Sequence, residues 1–207
     1  MTLRRRGLLV WGGATALGPW RQAHAGAQVE EPLADSVRLA LAAAVADAAP
    51  PEPSFDTMDQ RLVYLRWLGE MSQRLRKRET EHLRRVEFLK TVWYESKRAG
   101  LETSLLLGLI QVESGFRKYA VSKAGARGYT QVMPFWARLI GDGDAARLFN
   151  MTANLRFGCV ILRHYLGLER GDMYLALGRY NGSRGRPEYP NAVFASQRLW
   201  VYTPPAG

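Results

Sequence analysis

The sequence predicts a mainly α protein, and three observations carry that prediction. Apolar residues recur at spacings of three and four through residues 58–75 and again through 80–99, which is the period of one helix face. Gly100 follows the second of these segments at the position of a left-handed C-cap. Strand-like alternation is scarce, and confined to a Gly-rich middle at 115–128 that reads as a loop or small hairpin.

The elements follow in order. Residues 1–25 read as a secretory signal, with Arg4, Arg5 and Arg6 before a short apolar run at 8–18 and an Ala23-His24-Ala25 exit. The apolar run is too short to span a bilayer comfortably, though an uncleaved anchor is the alternative reading. Arg5-Arg6 also fits a twin-arginine signal, which leaves the export route open. Cleavage after Ala25 removes four arginines and no acid, so the net charge falls from +10 to +6. Residues 26–53 read as an Ala- and Pro-rich linker with a short helix near 37–48, ending in Pro50, Pro51 and Pro53.

Beyond the linker, 54–82 forms a helical N-terminal extension to a domain at 83–207. Ser54 or Asp56 supplies its N-cap, and Met58, Leu62, Leu65, Leu68, Met71 and Leu75 its apolar face. The basic run at 74–79 reads as a solvated face, with a specific anion site as the alternative. The next helix buries Leu83, Val86, Leu89 and Trp93, and Thr103 then caps a helix over 104–114. Later helices cover about 134–140, 154–168 and 172–180.

The helix at 104–114 is the informative one. Leu105, Leu106, Leu107, Leu109, Ile110 and Val112 cover most of its circumference, so it is buried on nearly every side. Glu113 lies seven, four and three residues after Leu106, Leu109 and Ile110 and shares their face. Apolar surroundings disfavour the ionised carboxyl, and an acid kept protonated near neutrality is suited to general acid catalysis. Glycoside hydrolysis ordinarily uses two carboxylates, but Asp142, Asp144, Glu169, Asp172 and Glu188 downstream carry no mark of a companion. The single cysteine, Cys159, sits among apolar neighbours and reads as a small hydrophobe. His82 and His164 lack metal-ligand spacing, so no cofactor or metal is expected.

Three separated motifs then resemble those of the soluble lytic transglycosylase family: Glu113-Ser114 closing an apolar helix, SKAGARGYTQVMP at 122–134, and ALGRYNGS at 176–183. The resemblance covers about 95–189. It implies a lysozyme-like α domain acting on peptidoglycan glycan strands without a cofactor. By that resemblance Glu113 is the single catalytic acid: it protonates the oxygen of the β-1,4 bond between N-acetylmuramic acid and N-acetylglucosamine. It then takes the proton of the muramoyl C6 hydroxyl as a 1,6-anhydro ring closes. Ser114 is placed near the saccharide, and Gln131 and Met133 line the groove. Tyr180 reaches toward the acid or substrate, and Asn181 supports the site. Tyr129 and Thr130 depart from the family's usual Leu and Met in that wall, and Arg179 from its usual Ala.

A hydrolytic muramidase on the same fold and an inactive peptidoglycan-binding or assembly module are the alternatives. Phe116, Tyr119, Phe135 and Trp136 read first as core, and Lys123 and Arg127 as solvated. The basic charge favours a polyanionic partner; with export and no recognition motif, nucleic acid is not expected. The reading is an exported, envelope-associated protein with no transmembrane anchor after processing, and it leaves room for a cell-envelope protein partner.

Overall fold

The computed structural model describes residues 28–46 and 53–204. The signal reading of 1–25 and the Pro50-Pro51 part of the linker lie outside them. Eight α-helices run through the described residues: α1 (Asp35–Ala46), α2 (Met58–Leu75), α3 (His82–Arg98), α4 (Thr103–Glu113), α5 (Pro134–Ile140), α6 (Met151–Leu168), α7 (Met173–Asn181) and α8 (Glu188–Arg198). A 3-10 turn at Ala145–Phe149 precedes α6. The Gly-rich middle is a loop stitched by isolated bridges from Arg127 to Val121 and to Val132, and no strand forms among the described residues. None of the described helices is long and apolar enough to cross a membrane.

Local chemistry sets the helix ends. Thr57, rather than Ser54 or Asp56, caps α2, its hydroxyl accepting from the Gln60 N–H. At the end of α3, Gly100 at φ 64° lets the Leu101 N–H reach the Ser96 carbonyl at 2.8 Å and its own N–H reach Lys97 at 3.0 Å, which satisfies carbonyls the helix leaves open. Thr103 is the first residue of α4 rather than its cap, because its hydroxyl is engaged with Ser96 Oγ at 2.8 Å.

The core is one continuous cluster, to which α2 contributes as much as the later helices. The apolar stripe expected on α2 is correct only in its second half. Leu68, Met71 and Leu75 are buried, but Met58, Leu62 and Leu65 face outward, and Tyr64 and Trp67 point inward instead. The reason is aromatic packing: Tyr64 lies 5.0 Å from Phe55 and 5.0 Å from Trp93, and Trp67 lies 4.8 Å from Trp93. Rings of that size dominate the burial energy and turn the helix toward themselves. Leu83, expected inside α3, is likewise exposed.

Residues 28–46, placed by composition in a linker, lie against the later helices. Helix α1 packs on α5 and α6, and the Ala44 carbonyl accepts from Arg98 at 2.7 Å. Ahead of it, Gln28 is buried: its amide N–H donates to the Tyr180 carbonyl, and its oxygen accepts from Trp136 Nε1 at 2.9 Å. Glu30 and Glu31 pair with Arg138 at 3.0 Å and Arg179 at 3.2 Å.

Candidate active site

Helix α4 runs through the centre and delivers Glu113 at its last turn. It is buried on nearly all sides, as its composition predicts. The close partner is α8, which crosses at Gly108: a Cβ there would meet the Gln197 backbone N at 2.6 Å and Cα at 2.8 Å. Only glycine admits so close an approach. After Glu113 the chain turns abruptly, Gly115 and Phe116 both being left-handed at φ 59° and 68°. For Phe116 this is a strained backbone, of the kind that surrounding structure must hold in place. Its ring is clamped between Trp200 at 5.1 Å and Phe88 at 6.0 Å, and Trp200 is fixed through Nε1 to Gln111 at 2.9 Å.

Glu113 keeps only 9% exposure. The Tyr189 hydroxyl, from α8, donates to its Oε1 at 2.5 Å. Burial drives the carboxyl up to about 8, and the Tyr189 hydrogen bond, which favours the ionised form, offsets part of that rise. Burial also raises the Tyr189 and Tyr180 phenols, and the Glu113 carboxyl pushes them further up. Burial thus favours the protonated form of all three groups.

The other predicted residues, Met133 apart, are buried. The Tyr180 hydroxyl, from α7, donates to the Thr130 carbonyl at 2.7 Å; the phenol in contact with Glu113 is that of Tyr189. Gln131, at φ 52°, folds its amide back to the Ala120 carbonyl at 3.1 Å and Gly128 at 2.9 Å, which closes the loop after α4. Thr130, in place of the usual Met, fits a slot where Gly158 has no side chain, since a Cβ there would lie 2.6 Å from its Oγ1. Its N–H and hydroxyl bond Asn154 Oδ1 at 2.8 and 2.9 Å. Tyr129 packs its ring 4.9 Å from Phe88. The Ser114 hydroxyl turns back to the Ile110 carbonyl at 3.2 Å. Met133, half-buried, is the N-cap residue of α5, and Asn181 is buried at the end of α7.

Four of the five downstream acids are occupied elsewhere, and the fifth, Glu188, is the first residue of α8. Asp142 binds Arg147 at 2.5 Å, Asp144 caps the 3-10 turn at Ala146 N, and Asp172 caps α7 at Leu175 N. Glu169 is held well below its usual range, to about 2, chiefly by Arg184, with burial opposing and Arg179 adding to the fall. Its bond to Arg179 accounts for the arginine in place of alanine. Cys159 is buried and its thiol pushed up by burial, so it is not poised as a nucleophile. Among the described residues no group of three or more His, Cys, Asp or Glu is placed to hold a metal. Phe116, Phe135 and Trp136 are core residues as expected, but Tyr119 is exposed beside Phe149. Arg127 is tied to the Ala145 carbonyl at 2.7 Å rather than left to solvent.

Sequence reasoning missed α8 and with it Tyr189. Pro187 and Pro190 obscured the helix, yet both fall at its N-terminal end, where a missing N–H costs little. Tyr189, Val193, Ser196 and Trp200 are spaced at four, three and four and are all buried; that stripe was the available signal.

The family model described as the Transglycosylase SLT domain matches residues 91–194, half of the chain, and the chain belongs to that family. Membrane-bound lytic murein transglycosylase C of Actinobacillus pleuropneumoniae serotype 5b is 41% identical over 101 residues, 45% of this chain and 26% of that protein. The transglycosylase of Enterobacteria phage PRD1 is 29% identical over 135 residues, 59% of this chain and 49% of that one. Among solved structures, an inactive mutant of lytic transglycosylase Slt from Pseudomonas aeruginosa aligns with a TM-score of 0.49 at 21% identity, over 68% of this chain and 29% of that one. The chain spans about a quarter of the length of the first curated relatives it matches.

Proposed function

We propose that the chain is a peptidoglycan lytic transglycosylase, a lyase that opens the β-1,4 bond between N-acetylmuramic acid and N-acetylglucosamine without adding water. The observation that carries this reading is the buried Glu113, its protonated form favoured and its Oε1 pinned by Tyr189, with Asp142, Asp144, Glu169 and Asp172 engaged elsewhere. With Oε1 accepting the phenol, the proton resides on Oε2 and is given to the glycosidic oxygen as the C1–O bond breaks. The carboxylate then takes the proton of the muramoyl C6 hydroxyl while that oxygen bonds C1, closing the 1,6-anhydro ring and restoring the acid. An internal nucleophile needs no second carboxylate and has the proximity advantage of a unimolecular step. A carboxyl titrating near 8 serves both directions of proton transfer.

In this reading Tyr180, Gln131, Ser114, Asn181, Met133 and Tyr129 shape the saccharide wall. The protein is exported to the cell envelope, as the signal-like residues 1–25 and the membrane-bound relatives support, and a cell-envelope partner localises it.

The test is mass spectrometry of sacculi digested by the protein and by its Glu113→Gln variant. Muropeptides ending in 1,6-anhydromuramic acid, absent with the variant, are the expected result. Reducing ends would make the protein a hydrolase, and no release by either protein would make it a wall-binding module.

A further inference from the structure

The basic run at 74–79, left by its composition between a solvated face and an anion site, places one residue apart from the others. Helix α2 ends at Leu75, whose carbonyl accepts from the N–H groups of Arg78 at 2.8 Å and Glu79 at 3.1 Å. Arg85, a buried guanidinium on α3, ties this turn down from both sides. It donates to Ser72 Oγ at 3.1 Å and to the carbonyls of Glu79 at 2.9 Å and Thr80 at 2.7 Å. A turn held by so many bonds to a buried charge presents its side chains from a fixed base.

Arg78 projects from that base toward the end of α4. Its guanidinium carbon lies 5.4 Å from the centroid of the Phe116 ring. A Cβ built on Gly115 would lie 3.6 Å from its Nη1, two residues from Glu113. Nearby arginines are paired, Arg74 with Glu70 at 2.9 Å and Arg84 with Glu81 at 3.1 Å. Arg78 has no carboxylate partner among the described residues, and the neighbouring Glu79 instead accepts from the Glu81 N–H at 3.1 Å. A guanidinium stacked on an aromatic ring is oriented by the stack and keeps its edge N–H groups for a planar acceptor.

We propose that Arg78 is a specificity residue that binds a stem-peptide carboxylate of the glycan held at Glu113. This rests on the function proposed above. With each lactyl carboxyl joined to a peptide as an amide, the sugars of the strand are neutral, and the carboxylates of its peptide stems are the anionic groups such a cation would select. Exposed Arg76 and Lys77 on the same turn add to the local positive potential. The family match begins at residue 91, so this contact comes from a part of the chain outside the matched domain, and the basic turn becomes a reader of stem-bearing strands.

The test is equilibrium binding of soluble glycan oligomers to the Glu113→Gln variant, which leaves them uncut, with and without Arg78→Ala added. Three probes are compared: stem-bearing oligomers, the same with their carboxylates amidated, and neutral N-acetylglucosamine oligomers of the same length. Arg78→Ala is expected to weaken the first about 10-fold, the scale of one charge-assisted contact, and to leave the other two unchanged. The advantage of the first probe shrinks as salt rises. Equal loss on all three probes, no loss on the first, or no binding of the first to the parent overturns the proposal. Failure of the unaltered chain to cut the same oligomers strikes the proposed reaction instead, while the binding comparison still reads Arg78.

Discussion

Replacing Glu113 by Gln should stabilise the fold, and by an amount that depends on pH. In the unfolded chain the carboxyl releases its proton near 4.5, and in the folded chain near 8. Between these values the folded state binds the extra proton, so stability falls as pH rises; outside them the contribution is flat. The slope inside the window is about 1.4 kcal/mol per pH unit, giving an upper limit of roughly 3 kcal/mol at pH 7. The residual 9% exposure softens the burial cost, while the Tyr189 hydroxyl can still donate to the glutamine oxygen, so about 2–3 kcal/mol is expected. Glutamine does not titrate and lacks this loss. Thermal and urea unfolding of both proteins from pH 4 to 9 should show near-equal stability at pH 4. The variant's advantage should then widen to pH 8 and level off, with its Tm about 4–10 °C higher at pH 7. A difference that does not change with pH, or a parent that gains on the variant as pH rises, would refute the assignment of Glu113 as a buried, protonated acid.

Tyr189→Phe removes a hydrogen bond that favours the carboxylate, so Glu113 should titrate still higher. The alkaline limb of the pH–rate profile should move upward while turnover falls about 10-fold or more; an unmoved limb would remove Tyr189 from the proton-holding unit. Gly108→Ala drives a methyl into the Gln197 backbone, and should cost about 1–3 kcal/mol through overpacking, read as a lower Tm with helicity retained. Glu95→Ala leaves Arg156 buried without the carboxylate it binds at 2.7 and 2.9 Å. A loss of about 3–5 kcal/mol is expected from the urea midpoint, and a loss below about 1 kcal/mol would mean water reaches the pair.

What was legible in the sequence was local. Helix α4 and its terminal acid could be read because its aliphatic residues leave no solvated face, and Gly100 because a left-handed cap depends on one residue. What was not legible depends on distant partners. The apolar face of α2 was misassigned over its first half because Phe55 and Trp93 decide which side of that helix is inward. The docking of Gln28 on Tyr180 joins residues 152 apart, and the phenol on Glu113 comes from 76 positions downstream. Thr130 and Arg179, the departures from the family pattern, become intelligible only beside Gly158 and Glu169.

The placement of α8 has a consequence in time. It is the last of the described helices, yet it supplies both the surface that covers α4 and the phenol that holds Glu113. A nascent chain that has not reached Glu188 has its acid in water, with the ordinary affinity of a carboxyl for its proton, and lacks the Trp200 ring that clamps Phe116. The proton-donating state therefore waits on α8, whose contacts with α4 join segments far apart in sequence and form late in folding.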